Sequence, residues 1–432
     1  MASRLALLRR MEELRWREVH ERDEADKQNL AILKREVQAD GDGTDGMKEK
    51  SEDLLLRLFS VQSLRTYMPH WLFSDSKESV KGWKERIVEE SDELLKLVNR
   101  KFRPDFMLLG SSKCGTSSVI RYLLAVPEVS LASRVGMIET QEEIQDVSDE
   151  GNFDPLETHI FDQKVEFSPV ELMRAQCIAY SSRLQEGQGA SASMLAHYTP
   201  HYIYHPMTPY NLERLFGSEH NIRFLVMLRE PVARAVSSYY FKVKTERESR
   251  TLAEAISAGI QYHTNMRHKI VSECGLDHDA EVVCLEDAEP ALGREEMVQK
   301  LKEIYIDKTL PDCPPLHDPN LFNDHVGKGV YHEQLRRWMH IFPKERFYVC
   351  TLEEFSQDPV GKLSEMLSHI GMSEEDIRKS RSVLEQTVQK KWNVTQSSSS
   401  SADQEVLEQL KAFYAPHNEK LFQLLGRRLW GM

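Results

Sequence analysis

The sequence predicts an α/β domain built on a mainly parallel sheet, with a P-loop-like phosphate-binding loop and an N-terminal helical extension. Three observations carry that reading. The short, continuous apolar run Phe106-Met-Leu-Leu109 suits a parallel strand buried on both faces. A strand, turn, helix succession then returns at residues 223–240 and again at 346–370. Helical segments such as 331–342 lie between, and strands separated by helices give a parallel sheet.

The extension comes first. Residues 1–100 hold 19 Lys or Arg and 21 Asp or Glu, a denser charge than the 29% of the whole chain. Leu7, Leu8, Met11, Leu14 and Val19 recur near helical spacing, and Leu30, Leu33 and Val37 continue it. The Asp- and Gly-rich stretch 40–46 breaks the pattern, and two more helical stretches follow at about 52–63 and 78–99. These amphipathic helices are candidates for self-association, although no heptad is sustained.

The domain spans 101–432. Gly110 ends the first strand and Thr116 opens a helix to Leu124. The second strand, Arg223–Leu228, runs into Arg229-Glu-Pro231 and a helix through Tyr240. The third, Arg346–Thr351, precedes Asp358-Pro359, an N-cap with proline at the first helical position, and a helix to Ile370. Two zones interrupt this order. Residues 273–325, with Cys274, Cys284, Cys313 and a proline-rich stretch, are expected to form an irregular insertion. Ser397 to Ser401 reads as a connector before a last helix, 403–425.

Composition excludes several classes. No run approaches 18 uncharged apolar residues, so no transmembrane segment is expected. The first residues lack the apolar core and cleavage site of a secretory signal. Six cysteines without a CxxC pair argue against a disulfide framework and a zinc site, so no metal is expected. A net charge of −13 argues against nucleic acid as a partner, yet leaves room for a small anion held by local cations. A cytoplasmic location follows from the sequence as given, and the sequon at Asn393 does not overturn it.

Two segments carry chemistry. The first strand opens into Gly110-Ser-Ser-Lys113-Cys-Gly115-Thr116-Ser117-Ser118. Small residues let the backbone curl so that N–H groups face an anion, and the following helix N-terminus adds its dipole. Lys113 supplies charge, and Thr116, Ser117 and Ser118 supply hydroxyls. A nucleoside-triphosphate loop has its lysine after the last glycine, whereas Lys113 precedes Gly115. The second strand delivers Arg229, with Ser237 eight residues on and two turns into the next helix, so both can close on one phosphate. Arg234, on the same helix, reads equally as a surface residue. Cys114, between a lysine and a helix N-terminus, is a candidate reactive thiolate.

Together these segments resemble the phosphate-binding elements of sulfotransferases that use 3′-phosphoadenosine 5′-phosphosulfate. Members of that family carry a lysine-then-Gly-Thr loop for the 5′-phosphosulfate and an Arg-Asp-Pro-x-x-Arg-x-x-Ser-x-Tyr element for the 3′-phosphate. The second element here reads Arg229-Glu230-Pro231 through Tyr239. Glu157-Thr-His159-Ile-Phe161-Asp162, Thr199-Pro200-His-Tyr202 and Gly327-Lys-Gly329-Val-Tyr331 through Trp338 resemble the heparan sulfate and carbohydrate branch. Two departures stand out. The basic loop that closes over the nucleotide is reduced to Lys390-Lys391-Trp392-Asn393, and Met207 stands where relatives acting on glycosaminoglycans often carry lysine.

The resemblance implies a three-layer α/β/α fold and transfer of a sulfuryl group from that donor, without a metal, to the hydroxyl of a carbohydrate or other hydroxylated metabolite. It implies Glu157 as base, Lys113 on the leaving oxygen, and His159 orienting the acceptor. Gly115, Thr116, Ser117, Ser118, Arg229, Ser237 and Lys391 join Lys113 around the donor. His197, His201 and His205 stay open as rival bases. A nucleotide kinase or a non-catalytic nucleotide-binding module are the other readings. Relatives in this branch are commonly Golgi membrane proteins, so a Golgi lumenal location follows if an upstream anchor is missing.

Overall fold

A computed structural model of the chain describes residues 104–132, 156–157, 161, 194–217, 221–276, 284–305, 324–390 and 403–431. In chain order, β1 (Phe106–Gly110) leads to α1 (Thr116–Leu123) and β2 (Val129–Ala132). Then come β3 (Met194–Tyr198), α2 (Thr208–Phe216), β4 (Arg223–Leu228), α3 (Pro231–Lys244) and α4 (Leu252–Cys274). The short α5 (Glu289–Leu292), α6 (Arg294–Tyr305) and α7 (Tyr331–Ile341) precede β5 (Phe347–Thr351). The chain closes with α8 (Leu352–Gln357), α9 (Pro359–His369), α10 (Glu374–Thr387) and α11 (Asp403–Leu425).

The strands form one sheet in the order β2-β3-β1-β4-β5, and every pairing is parallel. Met107 lies opposite His197 on one side and Phe224 on the other. Successive side chains alternate between faces. Phe106, Leu108, Leu225 and Met227 pack with Val119, Ile120 and Leu123 of α1 and with Leu363 and Leu367 of α9. The opposite face takes Phe224, whose ring centroid is 5.2 Å from that of Trp338 on α7 and 5.1 Å from that of Phe342. A neighbouring cluster of Val232, Ala235, Ile256, Leu410 and Tyr414 joins α3, α4 and α11. The sheet is thus covered on both faces, which gives the three-layer α/β/α fold the sequence leads one to expect.

Local chemistry sets the helix starts. Asp358 caps α9 by accepting from Gly361 N at 2.9 Å, with Pro359 at the first position. A reciprocal capping box joins Thr251 and Glu254 at the start of α4.

Residues 273–325 depart from expectation. Instead of an irregular insertion, 285–305 are helical: a 3-10 turn at Leu285–Ala288, then α5 and α6. Leu285, Met297 and Leu301 are buried, and the i, i+4 pair 297/301 is the helical signal that the cysteines and prolines nearby obscured. Residues 277–283 and 306–323 lie outside the described residues. So do the N-terminal extension 1–100 with its candidate self-association helices, the Ser397–Ser401 connector and Asn393.

The sheet order also positions the site. From β1 the chain moves outward to β2 and back through β3, whereas β4 and β5 lie on the other side of β1. The loops leaving β1 and β4 therefore open a crevice at the carboxyl ends of the strands, where open α/β sheets bind ligands.

Candidate functional site

The loop after β1 is held in place from three directions. Ser111 N donates to Met227 O of β4 at 2.6 Å, and Ser111 Oγ to Lys328 O at 3.3 Å. Gly110, at φ 135°, lies so close to the Thr199-Pro200 turn that a Cβ there would sit 2.3 Å from Pro200 O. Only glycine permits that approach. Lys113 has a left-handed φ of 69°, and Gly115 follows at 81° as the N-cap of α1. Glycine brings no side chain to cap the helix, so the N–H groups of its first residues, Thr116 and Ser117, gain no side-chain cap.

The hydroxyls expected around an anion here are partly engaged. Thr116 is buried, and its Oγ1 accepts from Tyr198 OH at 3.3 Å, leaving its own proton to donate. Ser117 Oγ lies 3.2 Å from the same phenol, and Ser118 is hydrogen-bonded to Tyr122.

Arg229 follows β4, and its carbonyl accepts from Tyr331 OH at 2.9 Å. Glu230 opens α3 by accepting from Val232 N at 3.0 Å and Ala233 N at 2.7 Å. Glutamate therefore performs the capping expected of aspartate at this position. Ser237 is buried in the second turn of α3. Arg234 is not a surface residue: it is fully buried, and one guanidinium nitrogen donates to His325 O.

Helix α3 presents two ridges. Ser237 and Phe241 are four apart and share one side, where Lys113 Nζ lies 3.8 Å from the Phe241 ring centroid. Arg234, Ser238 and Lys242 share the other, facing the segment Asp324–Lys328. Burial, helped by Arg229, lowers Lys113 to about 8. Burial, helped by Arg247, lowers Lys242 to about 8, and burial next to Lys242 lowers Lys328 to about 7. Glu157 pulls both Lys242 and Lys328 the opposite way, which puts its carboxylate among these ammonium groups.

Lys328 and Lys242 carry no role in the sequence reading. The turn bearing Lys328 is built by Asp324, whose Oδ1 accepts from Val326 N at 3.1 Å and Gly327 N at 2.6 Å. Its Oδ2 accepts from Tyr204 OH at 2.7 Å and lies 3.1 Å from His263 Nε2. Lys328 Nζ stands 5.5 Å from the Tyr204 ring centroid. Only the motif Gly327-Lys-Gly329 hinted at this lysine. Lys242 had a signal in its i, i+4 spacing from Ser238.

Among the other expected residues, His159 and Lys391 lie outside the described residues. His197 is fully buried on β3, 5.7 Å from the Phe161 ring, with neither nitrogen hydrogen-bonded; burial holds it neutral, at about 3. That position weighs against proton transfer. His205 is buried with Nδ1 3.0 Å from Thr208 Oγ1, and His201 is half-buried beside it. Cys114 is fully buried with its sulfur 3.6 Å from Tyr331 OH, and burial raises its thiol to about 11. The expectation of a reactive thiolate is overturned, because desolvation outweighs the nearby cations. Among the described residues no cluster of His, Cys, Asp and Glu could hold a metal ion.

The pattern of these loops is that of a described family: a model of the sulfotransferase domain matches residues 103–414. The chain belongs to the sulfotransferase family. This sulfotransferase is 25% identical over 256 residues to the membrane-associated sulfotransferase kil1 of Dictyostelium discoideum, covering 53% of this chain and 51% of that one. It is 21% identical over 352 residues to carbohydrate sulfotransferase 15 of Rattus norvegicus, covering 74% and 53%. The human carbohydrate sulfotransferase 15 is 20% identical over 353 residues, covering 75% and 53%. The sulfotransferase chain thus spans about half the length of the curated relatives it matches. A solved sulfotransferase from Alicyclobacillus acidocaldarius aligns with a TM-score of 0.42 at 20% identity, over 75% of this chain and 96% of that one. No helix among the described residues is long and apolar enough to cross a membrane.

Proposed function

We propose that the protein transfers a sulfuryl group from 3′-phosphoadenosine 5′-phosphosulfate to a hydroxyl of a carbohydrate or other hydroxylated acceptor. The observation that carries this is the pair of anion-binding elements at one crevice. The glycine-capped start of α1 with Lys113 follows β1, and Arg229 with Ser237 follows the adjacent β4. The residues present fit a nucleotide with anions at both ends, because burial and then Arg229, Arg234 and Lys242 depress Lys113, so several cations gather around it.

Lys113 and the N–H groups around Gly115, Thr116, Ser117 and Ser118 would hold the 5′-phosphosulfate, and Arg229 and Ser237 the 3′-phosphate. Lys391 belongs to the same reading. When bound, the donor supplies an activated sulfuryl group. The acceptor oxygen bonds to sulfur as the S–O bond to phosphate breaks. Glu157 takes the acceptor's proton, and Lys113 neutralises the charge left on the departing oxygen. His159 orients the acceptor. Lys242 and Lys328 both feel the Glu157 carboxylate, which ties the proposed base to this cluster of cations. A carbohydrate acceptor is favoured by the relatives named carbohydrate sulfotransferase 15.

Calorimetric titration with adenosine 3′,5′-bisphosphate and with ATP tests the reading. Tighter binding of the bisphosphate, followed by its release from the sulfated donor when hydroxylated acceptors are added, is the expected result. Preference for ATP would favour a nucleotide kinase, and binding without turnover on any acceptor a non-catalytic module.

A further inference from the structure

His325 lies outside both phosphate segments, yet the helix that carries Ser237 grips it twice. Its carbonyl accepts from the Arg234 guanidinium, and its Nδ1 lies 3.0 Å from Ser238 Oγ. Arg234 and Ser238 are four residues apart, so one face of α3 holds both the backbone and the ring of one residue. The other nitrogen, Nε2, lies 3.1 Å from Glu248 Oε2, in the segment following α3. His325, Ser238 and Glu248 are all buried, and the Tyr239 ring stands edge-on to His325 at 5.8 Å.

The roles of the two nitrogens follow from Glu248. Burial opposes its charge, but hydrogen bonds from Arg250, at 2.9 Å from Nε and 2.7 Å from Nη2, and from His325 hold it down at about 2. An ionised carboxylate only accepts, so Nε2 carries a proton; burial lowers the ring to about 4 and keeps it neutral, which makes Nδ1 the acceptor. Ser238 therefore donates its single hydroxyl proton to His325. Of the two adjacent serines, Ser237 alone keeps a proton to offer an anion on the nucleotide side.

We propose that His325 is a positioning residue for the 3′-phosphate end of the nucleotide. By pinning Ser238 and Arg234 it fixes the rotation of α3 about its own axis. The ridge about 100° away, with Ser237 and Phe241, is thereby kept in register with Lys113. His325 also adjoins Asp324 and the turn bearing Lys328, so it ties the donor-side helix to the segment beside Glu157. The proposal rests on the assignment of Ser237 to the 3′-phosphate.

The test is calorimetric binding of adenosine 3′,5′-bisphosphate and of 5′-AMP to the wild type, His325→Leu, His325→Gln, Ser238→Ala and Ser237→Ala, with melting temperatures alongside. The ratio of the two affinities reads the 3′-phosphate contact alone. His325→Leu is expected to reduce that ratio roughly ten-fold, the worth of about one charge-assisted hydrogen bond. Ser238→Ala should move it the same way by less. His325→Gln, whose amide can accept from Ser238 and donate to Glu248, should restore most of it. If His325→Leu does not fold, the Ser238→Ala ratio decides. An unchanged ratio in Ser238→Ala and in any folded His325→Leu, with only the melting temperature lowered, overturns the proposal and leaves the nucleotide assignment standing. A wild type that does not prefer the bisphosphate, or a Ser237→Ala that keeps the preference, overturns the assignment and the proposal with it.

Discussion

The Lys113 ammonium lies 3.8 Å from the centroid of the Phe241 ring, joining the loop after β1 to the helix after β4. Each partner belongs to one of the two proposed phosphate elements: Lys113 to the start of α1, and Phe241 to the ridge that it shares with Ser237. The ring faces the ammonium without neutralising it, so the charge stays available to an anion. Burial lowers Lys113, Lys242 and Lys328, and neighbouring cations add to it: Arg229 and Lys242 at Lys113, Arg247 at Lys242, and Lys242 at Lys328.

These lowered values make binding proton-linked. A bound phosphate favours the charged form of each lysine, so bisphosphate binding should take up protons near pH 8, where Lys113 and Lys242 are partly neutral in the free protein. Affinity should fall as pH rises from 8 to 10. Calorimetry in buffers of different ionisation enthalpy measures the uptake, and Lys113→Met should reduce it.

The same shifts have the opposite consequence for the ligand-free fold. A lysine with a folded pKa near 8 has lost its proton between about pH 8 and 10, while the unfolded chain, near 10.4, keeps it. The unfolded state binds more protons in that window, so these groups make stability rise with pH there. For Lys328 the rise begins near pH 7. Urea midpoints across pH 7–10 should show a steeper rise for the wild type than for Lys113→Met or Lys328→Met.

Arg229→Ala and Ser237→Ala should each weaken the bisphosphate more than 5′-AMP, by the roughly 1.5–3 kcal/mol of a hydrogen bond to a charged group. Equal losses for the two ligands would remove both residues from the 3′-phosphate.

Cys114 should resist alkylation in the folded protein. Its thiolate is disfavoured by burial, and its sulfur packs against Tyr331 OH. Peptide mass spectrometry after iodoacetamide at pH 8 should find Cys114 modified only once urea is added, whether or not nucleotide is bound.

The ion pair between Arg337 Nε and Glu286 Oε1, at 2.7 Å with both side chains buried, supports the helices that replace the expected insertion. Glu286→Leu should cost about 3–5 kcal/mol by leaving a buried guanidinium unpaired. Adding Arg337→Met should recover much of that in urea unfolding.

What the sequence reveals depends on how locally each feature is encoded. β1, β4 and β5 are legible as apolar runs ended by a turn, and the Arg229–Ser237 pair because one helix carries the spacing. β2 and β3 pass unnoticed because each holds a polar residue, Ser130 or His197, that only the fully assembled sheet buries. Lys328 is beyond sequence reasoning for another reason. Its carbonyl meets Ser111 across 217 positions, and its neighbours Tyr204 and Lys242 come from two other segments of the chain. Cys114 misleads because its neighbours in sequence are a lysine and a helix start, while its neighbours in space are the buried core residues and Tyr331.

The central claim is that Glu157, among Lys242 and Lys328, accepts the proton of the acceptor hydroxyl. The most direct measurement is the rate of adenosine 3′,5′-bisphosphate release from the sulfated donor, with mass detection of the sulfated product over a panel of hydroxylated acceptors, for the wild type and Glu157→Gln. The rate in the variant should fall by about 10²- to 10⁴-fold, the usual worth of general-base catalysis, with bisphosphate affinity within about two-fold of wild type. Near-full turnover by Glu157→Gln, with activity abolished instead by His205→Ala, would contradict it and make a histidine the base.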